Sequence, residues 1–88
     1  MINSTAFTAL VYLMVSFGAP ITVNSSYRSP EHNKRVGGAP NSRHIQGKAF
    51  DIGTHNLTPK QKEILVLKAL EIFDHVIIYK THIHVHIN

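Results

Sequence analysis

The run His82-Ile83-His84-Val85-His86-Ile87-Asn88 alternates imidazoles with β-branched aliphatics. Side chains on a strand alternate faces. Read as a strand, the run puts His82, His84 and His86 on one side and Ile83, Val85 and Ile87 on the other. A row of imidazoles backed by aliphatics makes a poor core and a good metal surface. Zinc takes nitrogen from His and oxygen from carboxylates, and a catalytic site keeps one position open for water. Upstream, Ser42-Arg43-His44-Ile45-Gln46-Gly47-Lys48-Ala49-Phe50-Asp51 supplies a His and an Asp. The combination points to a His/Asp/His zinc site with hydrolytic chemistry. Taken alone, the terminal His residues also fit a solvated strand face or a tag remnant, but a tag is normally an unbroken His run.

The rest of the chain must position these groups. Eighty-eight residues make one small domain, residues 1–88. A chain this short buries only somewhat more than roughly 60% of the surface its unfolded form exposes, so its core is thin. There is no Cys, hence neither a disulfide nor a thiolate metal site. A metal held by His and Asp would supply the staple that small folds need.

The formal charge is +4 with neutral His, which attracts anionic partners such as nucleic acid, membrane surface or bacterial wall. It is spread over Lys34, Arg35, Arg43, Lys48, Lys60, Lys62, Lys68 and Lys80, without a zinc finger, an RNA-binding motif or an aromatic-interleaved basic stripe. Nucleic acid is therefore not the expected partner. The apolar stretch 6–17 is short for a membrane span, lacks a preceding basic residue and is not followed by a clear cleavage site. Its residues Phe7, Leu10, Val11, Met14 and Phe17 follow helical spacing, so a packing helix is expected, with no membrane insertion and no signal peptide.

Asn3, Ser4 or Thr5 can cap that helix, and Gly18 suits its end. Ile21–Asn24 reads as a short strand, residues 25–48 as a long functional loop with one helical turn near Glu31–Val36, and Lys48–Ile52 as a strand. Thr58-Pro59-Lys60-Gln61 starts a helix with Thr as N-cap and Gln three later. That helix runs to about Phe73, with Ile64, Leu67 and the Leu70/Ile72 region facing inward. His75–Tyr79 and His82–Ile87 form a hairpin. The class is α+β, a small mainly antiparallel sheet with helices packed on one face.

Two segments carry a resemblance: Ser25-Ser26-Tyr27-Arg28-Ser29-Pro30-Glu31-His32-Asn33, and Val36-Gly37-Gly38-Ala39-Pro40-Asn41-Ser42-x-His44-x-x-Gly47-x-Ala49-x-Asp51-Ile52. With the downstream His-x-His they resemble the zinc D-Ala-D-Ala carboxypeptidase family, whose fold and zinc site are shared with the murein endopeptidase and the hedgehog signalling domain. The likeness is to its short members in bacteria and phages. It implies one zinc per chain, with His44, Asp51 and His84 as ligands. A register shifted by two, with His86 as ligand and His84 as base, stays open. Gly47 is expected where the backbone bends between His44 and Asp51.

The resemblance further implies that His82 shuttles the proton and that Arg28 points into the site to bind a substrate carboxylate or the developing oxyanion. A surface Arg28 paired with Glu31 is the plain alternative. Ser42 and Tyr27 are placed as substrate-binding residues, Ser42 alternatively orienting the His44 loop, and Asn33 as fixing the loop. His55, His75 and Asp74 carry no assigned chemistry. Several relatives have an acid three or more positions before the ligand, where this chain has Thr81, and often Asp or Arg at the position of His86.

The implied activity is hydrolysis of amide bonds involving D-amino acids in peptidoglycan stem peptides, as carboxypeptidase or endopeptidase, at the bacterial wall or periplasm. A zinc-bearing binding module with little activity is the alternative. No added wall-binding module is present in the sequence, so action within a larger assembly or at high local concentration is expected.

Overall fold

A computed structural model describes all 88 residues. The elements are helix α1 (Ser4–Phe17), strand β1 (Thr22–Ser25), helix α2 (Pro30–Arg35), strand β2 (Ala49–Gly53), helix α3 (Pro59–Ile72), and strands β3 (His75–Ile78) and β4 (His82–His86). The four strands form one sheet in the order β1-β2-β4-β3, every neighbouring pair antiparallel. The α+β class holds.

Local sequence explains the ends of the helices. Asn3 caps α1, its Oδ1 accepting from the Ala6 N–H at 3.1 Å. Gly18 stops it in the left-handed region at φ 71°, donating its N–H to the Met14 carbonyl, a conformation that carries no Cβ penalty for glycine. Thr58 and Gln61 form a reciprocal capping box at the start of α3, with Pro59 in the first turn.

The strand alternation of β2 and β4 divides the sheet into two chemistries. Phe50, Ile52, Ile83 and Val85 are fully buried and join Leu10 and Leu13 of α1 and Leu65 and Ala69 of α3 in the core. Burial of each large aliphatic or aromatic side chain contributes about 1.5–3 kcal/mol. The opposite face carries Asp51 and the imidazoles. The register pairs Phe50 with Val85, Asp51 with His84, and Ile52 with Ile83, so a single alignment fixes core and site together.

The long helices keep only part of the expected faces: Leu10 is buried and Phe17 and Ile72 pack against the core. On α1 the buried residues are Ala6, Leu10 and Leu13, while Phe7, Val11 and Met14 are exposed. On α3 they are Leu65 and Ala69, while Ile64, Leu67 and Leu70 are exposed. Helix α1 is apolar almost all round, so spacing could not select a stripe. Ala6 and Ala69 are fully buried in the core, where α1 and α3 pack against each other. Strand β1 is also shifted one residue later than expected, and it contains a bulge between Val23 and Ser25.

Candidate metal centre

Asp51 is the hub. Its position on β2, directly across from His84 of β4, puts both side chains on the face away from the core. His84 Nδ1 lies 3.0 Å from Asp51 Oδ1. His44 arrives from the loop before β2, its Nε2 3.2 Å from Asp51 Oδ2. One donor atom from each of His44, Asp51 and His84 lies within 4.8 Å of the others. Zinc bonds to such ligands are about 2.0–2.2 Å long, which makes the edge of a tetrahedral donor set about 3.3 Å. The His44 and His84 contacts are near that length, though each is made to a different Asp51 oxygen.

The turn that delivers His44 is built around Gly47. Its φ is +70°, a region costly for residues with a Cβ, and a Cβ there would overlap the Met1 carbonyl oxygen. The Gly47 N–H donates to the His44 carbonyl, and its own carbonyl accepts from the Asn3 N–H. The α1 cap and the metal loop are thus tied through one residue, as the expected bend at Gly47 required. Ser42 orients the same loop, its Oγ accepting from the His44 N–H at 3.2 Å.

Outer partners set the ring orientations. His44 is 3% exposed, and its Nδ1 donates to the Ser26 carbonyl at 2.8 Å. A carbonyl only accepts, so a proton sits on His44 Nδ1 and Nε2 is the nitrogen that faces Asp51. His84 Nε2 lies 2.9 Å from His86 Nδ1. The structure therefore brings His44, Asp51 and His84 together and leaves His86 beside the set.

Electrostatics favour a charged Asp51. Burial on its own would raise this carboxyl, but hydrogen bonds and charge from His44 and His84 hold it well below the usual carboxylate range. His86 is pushed down to about 4, by burial first and then by repulsion from His84, His75 and Arg43.

Arg28 does not pair with Glu31. Its Nη2 lies 3.8 Å from Asp51 Oδ2, and its Nη1 donates to Asn33 Oδ1 at 2.9 Å. Asn33, buried in α2, donates in turn to the Ala39 carbonyl at 2.7 Å. Gly38 lies against this pair: a Cβ there would overlap the Asn33 side chain and come within 2.9 Å of Arg28 Nη1. A groove of about 370 Å³ beside it is lined by Pro30, Asn33, Lys34, Gly37, Gly38, Pro40 and Ile45.

His82 lies on the same strand face as His84 but outside the donor group. Its ring stacks on Tyr79 with centroids 4.6 Å apart, and its Nδ1 is 3.1 Å from Thr81 Oγ1. Tyr27 is exposed and makes none of the contacts that build the centre. Sequence reasoning did not find the Ser26 carbonyl, because a backbone acceptor leaves no residue-type signal. The loop-fixing role expected of Asn33 is met by its bond to the Ala39 carbonyl, while its bond to Arg28 was not foreseen.

A sequence profile of the family described as Peptidase M15 matches residues 2–88. A zinc D-Ala-D-Ala carboxypeptidase from Streptomyces albus G is 59% identical over 34 residues, a stretch covering 39% of this chain and 13% of that protein.

Proposed function

The chain belongs to the Peptidase M15 family, and from that premise we propose that it hydrolyses amide bonds involving D-amino acids in peptidoglycan stem peptides. Zinc is the cofactor indicated by the family and the His/Asp/His donor set together. The observation that carries the reading is the convergence of His44, Asp51 and His84 on one face, with Arg28 beside them. In this reading His44 Nε2, one Asp51 oxygen and His84 Nδ1 hold the ion, one per chain. When bound, zinc supplies Lewis acidity, polarising a carbonyl and acidifying water.

The remaining steps belong to the protein. The guanidinium of Arg28, held in place by Asn33, binds the substrate's terminal carboxylate or the charge developing on the scissile carbonyl. His82, with Nδ1 turned to Thr81 Oγ1, presents Nε2 to take a proton from water and return it to the leaving amine. Tyr27 and Ser42 border the substrate path, Ser42 acting through the His44 loop. The basic surface favours an anionic wall. The setting in this account is the bacterial wall, for an enzyme of bacterial or phage origin.

Thr81, where several relatives carry an acid, favours a second reading: a zinc-bearing module that binds wall peptides and turns over slowly. Hydrolysis of peptides ending in D-Ala-D-Ala and of cross-linked muropeptides, followed by mass spectrometry, separates the two. The expected result is zinc-dependent cleavage that falls about 10²–10⁴-fold in His82→Ala with zinc retained. Binding without cleavage supports the module. Neither binding nor cleavage of these peptides by zinc-loaded protein contradicts both.

A further inference from the structure

We propose that His86 is a positioning residue for the metal centre: its Nδ1 accepts the Nε2–H of His84 and so turns His84 Nδ1 toward Asp51. This rests on the ligand set above and adds a residue to it. His84 has two ring nitrogens and each has one partner: Nδ1 lies 3.0 Å from Asp51 Oδ1, and Nε2 lies 2.9 Å from His86 Nδ1. A metal ligated through Nδ1 requires that nitrogen to be bare, so the imidazole proton must sit on Nε2. An acceptor is then needed at that distance and direction. Ligating histidines commonly find it in a carboxylate, a backbone carbonyl or water. Here a neighbouring imidazole occupies the position.

The surroundings hold His86 in that role. Its ring lies against His75 with centroids 4.5 Å apart and an interplanar angle of 33°. On β2 its cross-strand neighbour is Ala49, fully buried and without bulk. The Asp74 N–H donates to its carbonyl. His75, without assigned chemistry in the sequence, thereby becomes the packing surface for the positioning ring. The rings of His84 and His86 meet edge-on, at 72°, which suits an in-plane N–H···N bond and not a shared face.

Two readouts test this in the full chain, zinc affinity by chelator competition and ¹⁵N NMR of the zinc-loaded protein. A scalar coupling between His84 Nε2 and His86 Nδ1 across the hydrogen bond is expected. His86→Leu should weaken zinc binding about 10–100-fold, and His86→Gln, which restores an acceptor, should recover most of the loss. Equal weakening by Leu and Gln would overturn the proposal, as would wild-type affinity in His86→Leu. Complete loss of zinc in both His86 variants, with zinc kept in His84→Ala, would overturn the ligand set itself. Folding of each variant is checked by its amide spectrum, and a Leu variant that does not fold leaves the coupling in wild type as the deciding measurement: its absence rejects the bond.

Discussion

Asp51 receives His44, His84 and Arg28 on two oxygens, so one carboxylate organises the whole centre. Its depressed pKa keeps it ionised through the physiological range and well into acid. His86 behaves in the opposite sense, because its neutral form is the one the fold accepts. The ring is pushed from 6.5 to about 4 by burial and by His84, His75 and Arg43, with Asp74 the one opposing charge. Between those values the unfolded chain binds the extra proton, so stability is full above pH 6.5 and falls as pH drops toward 4. Zinc-free protein is therefore expected to lose urea resistance over that interval, and His86→Gln to flatten the slope. An unchanged slope would contradict the assignment. The donor residues were legible in the sequence because a strand's alternation and a His–Asp spacing are side-chain signals. The Ser26 acceptor and the His86 bond were not, since they depend on backbone direction and ring orientation.

The β2–β4 register and the turn at Gly47 convert those residues into a site. Cross-strand pairing brings Asp51 to His84, and the left-handed turn brings His44 back over the same face. Gly47→Ala places a Cβ against the Met1 carbonyl in a disfavoured backbone region. It should cost about 1–3 kcal/mol of stability and weaken zinc binding, measured by urea unfolding with and without metal. Retained affinity and stability would show that the N-terminal segment yields freely. Element order, the hairpin and both helix starts were readable from caps, turn residues and period. The inward faces of α1 and α3 were not. Phe7, Leu10, Val11 and Met14 form as good an apolar stripe as Ala6, Leu10 and Leu13, and packing against α3 and the core chooses between them.

The whole molecule has a small core, with 16 of its 88 residues buried, and no disulfide to reinforce it. No helix is long and apolar enough to cross a membrane. A ligand that binds only the folded state adds about 4 kcal/mol at a thousand times its dissociation constant. For a domain of this size that amounts to roughly 15–30 °C in melting temperature. Zinc should therefore raise the thermal midpoint by about 15 °C or more, and chelation should reverse the rise. A shift of a degree or two with metal in large excess would mean that the folded chain does not bind zinc in preference to the unfolded one.

A zinc ion held by His44, Asp51 and His84 is read out by the zinc content of the purified chain. About one zinc per wild-type chain is expected, lost in His44→Ala and His84→Ala. Wild-type protein that takes up no zinc from metal-supplemented buffer, or a His44→Ala variant that keeps it, would contradict the account.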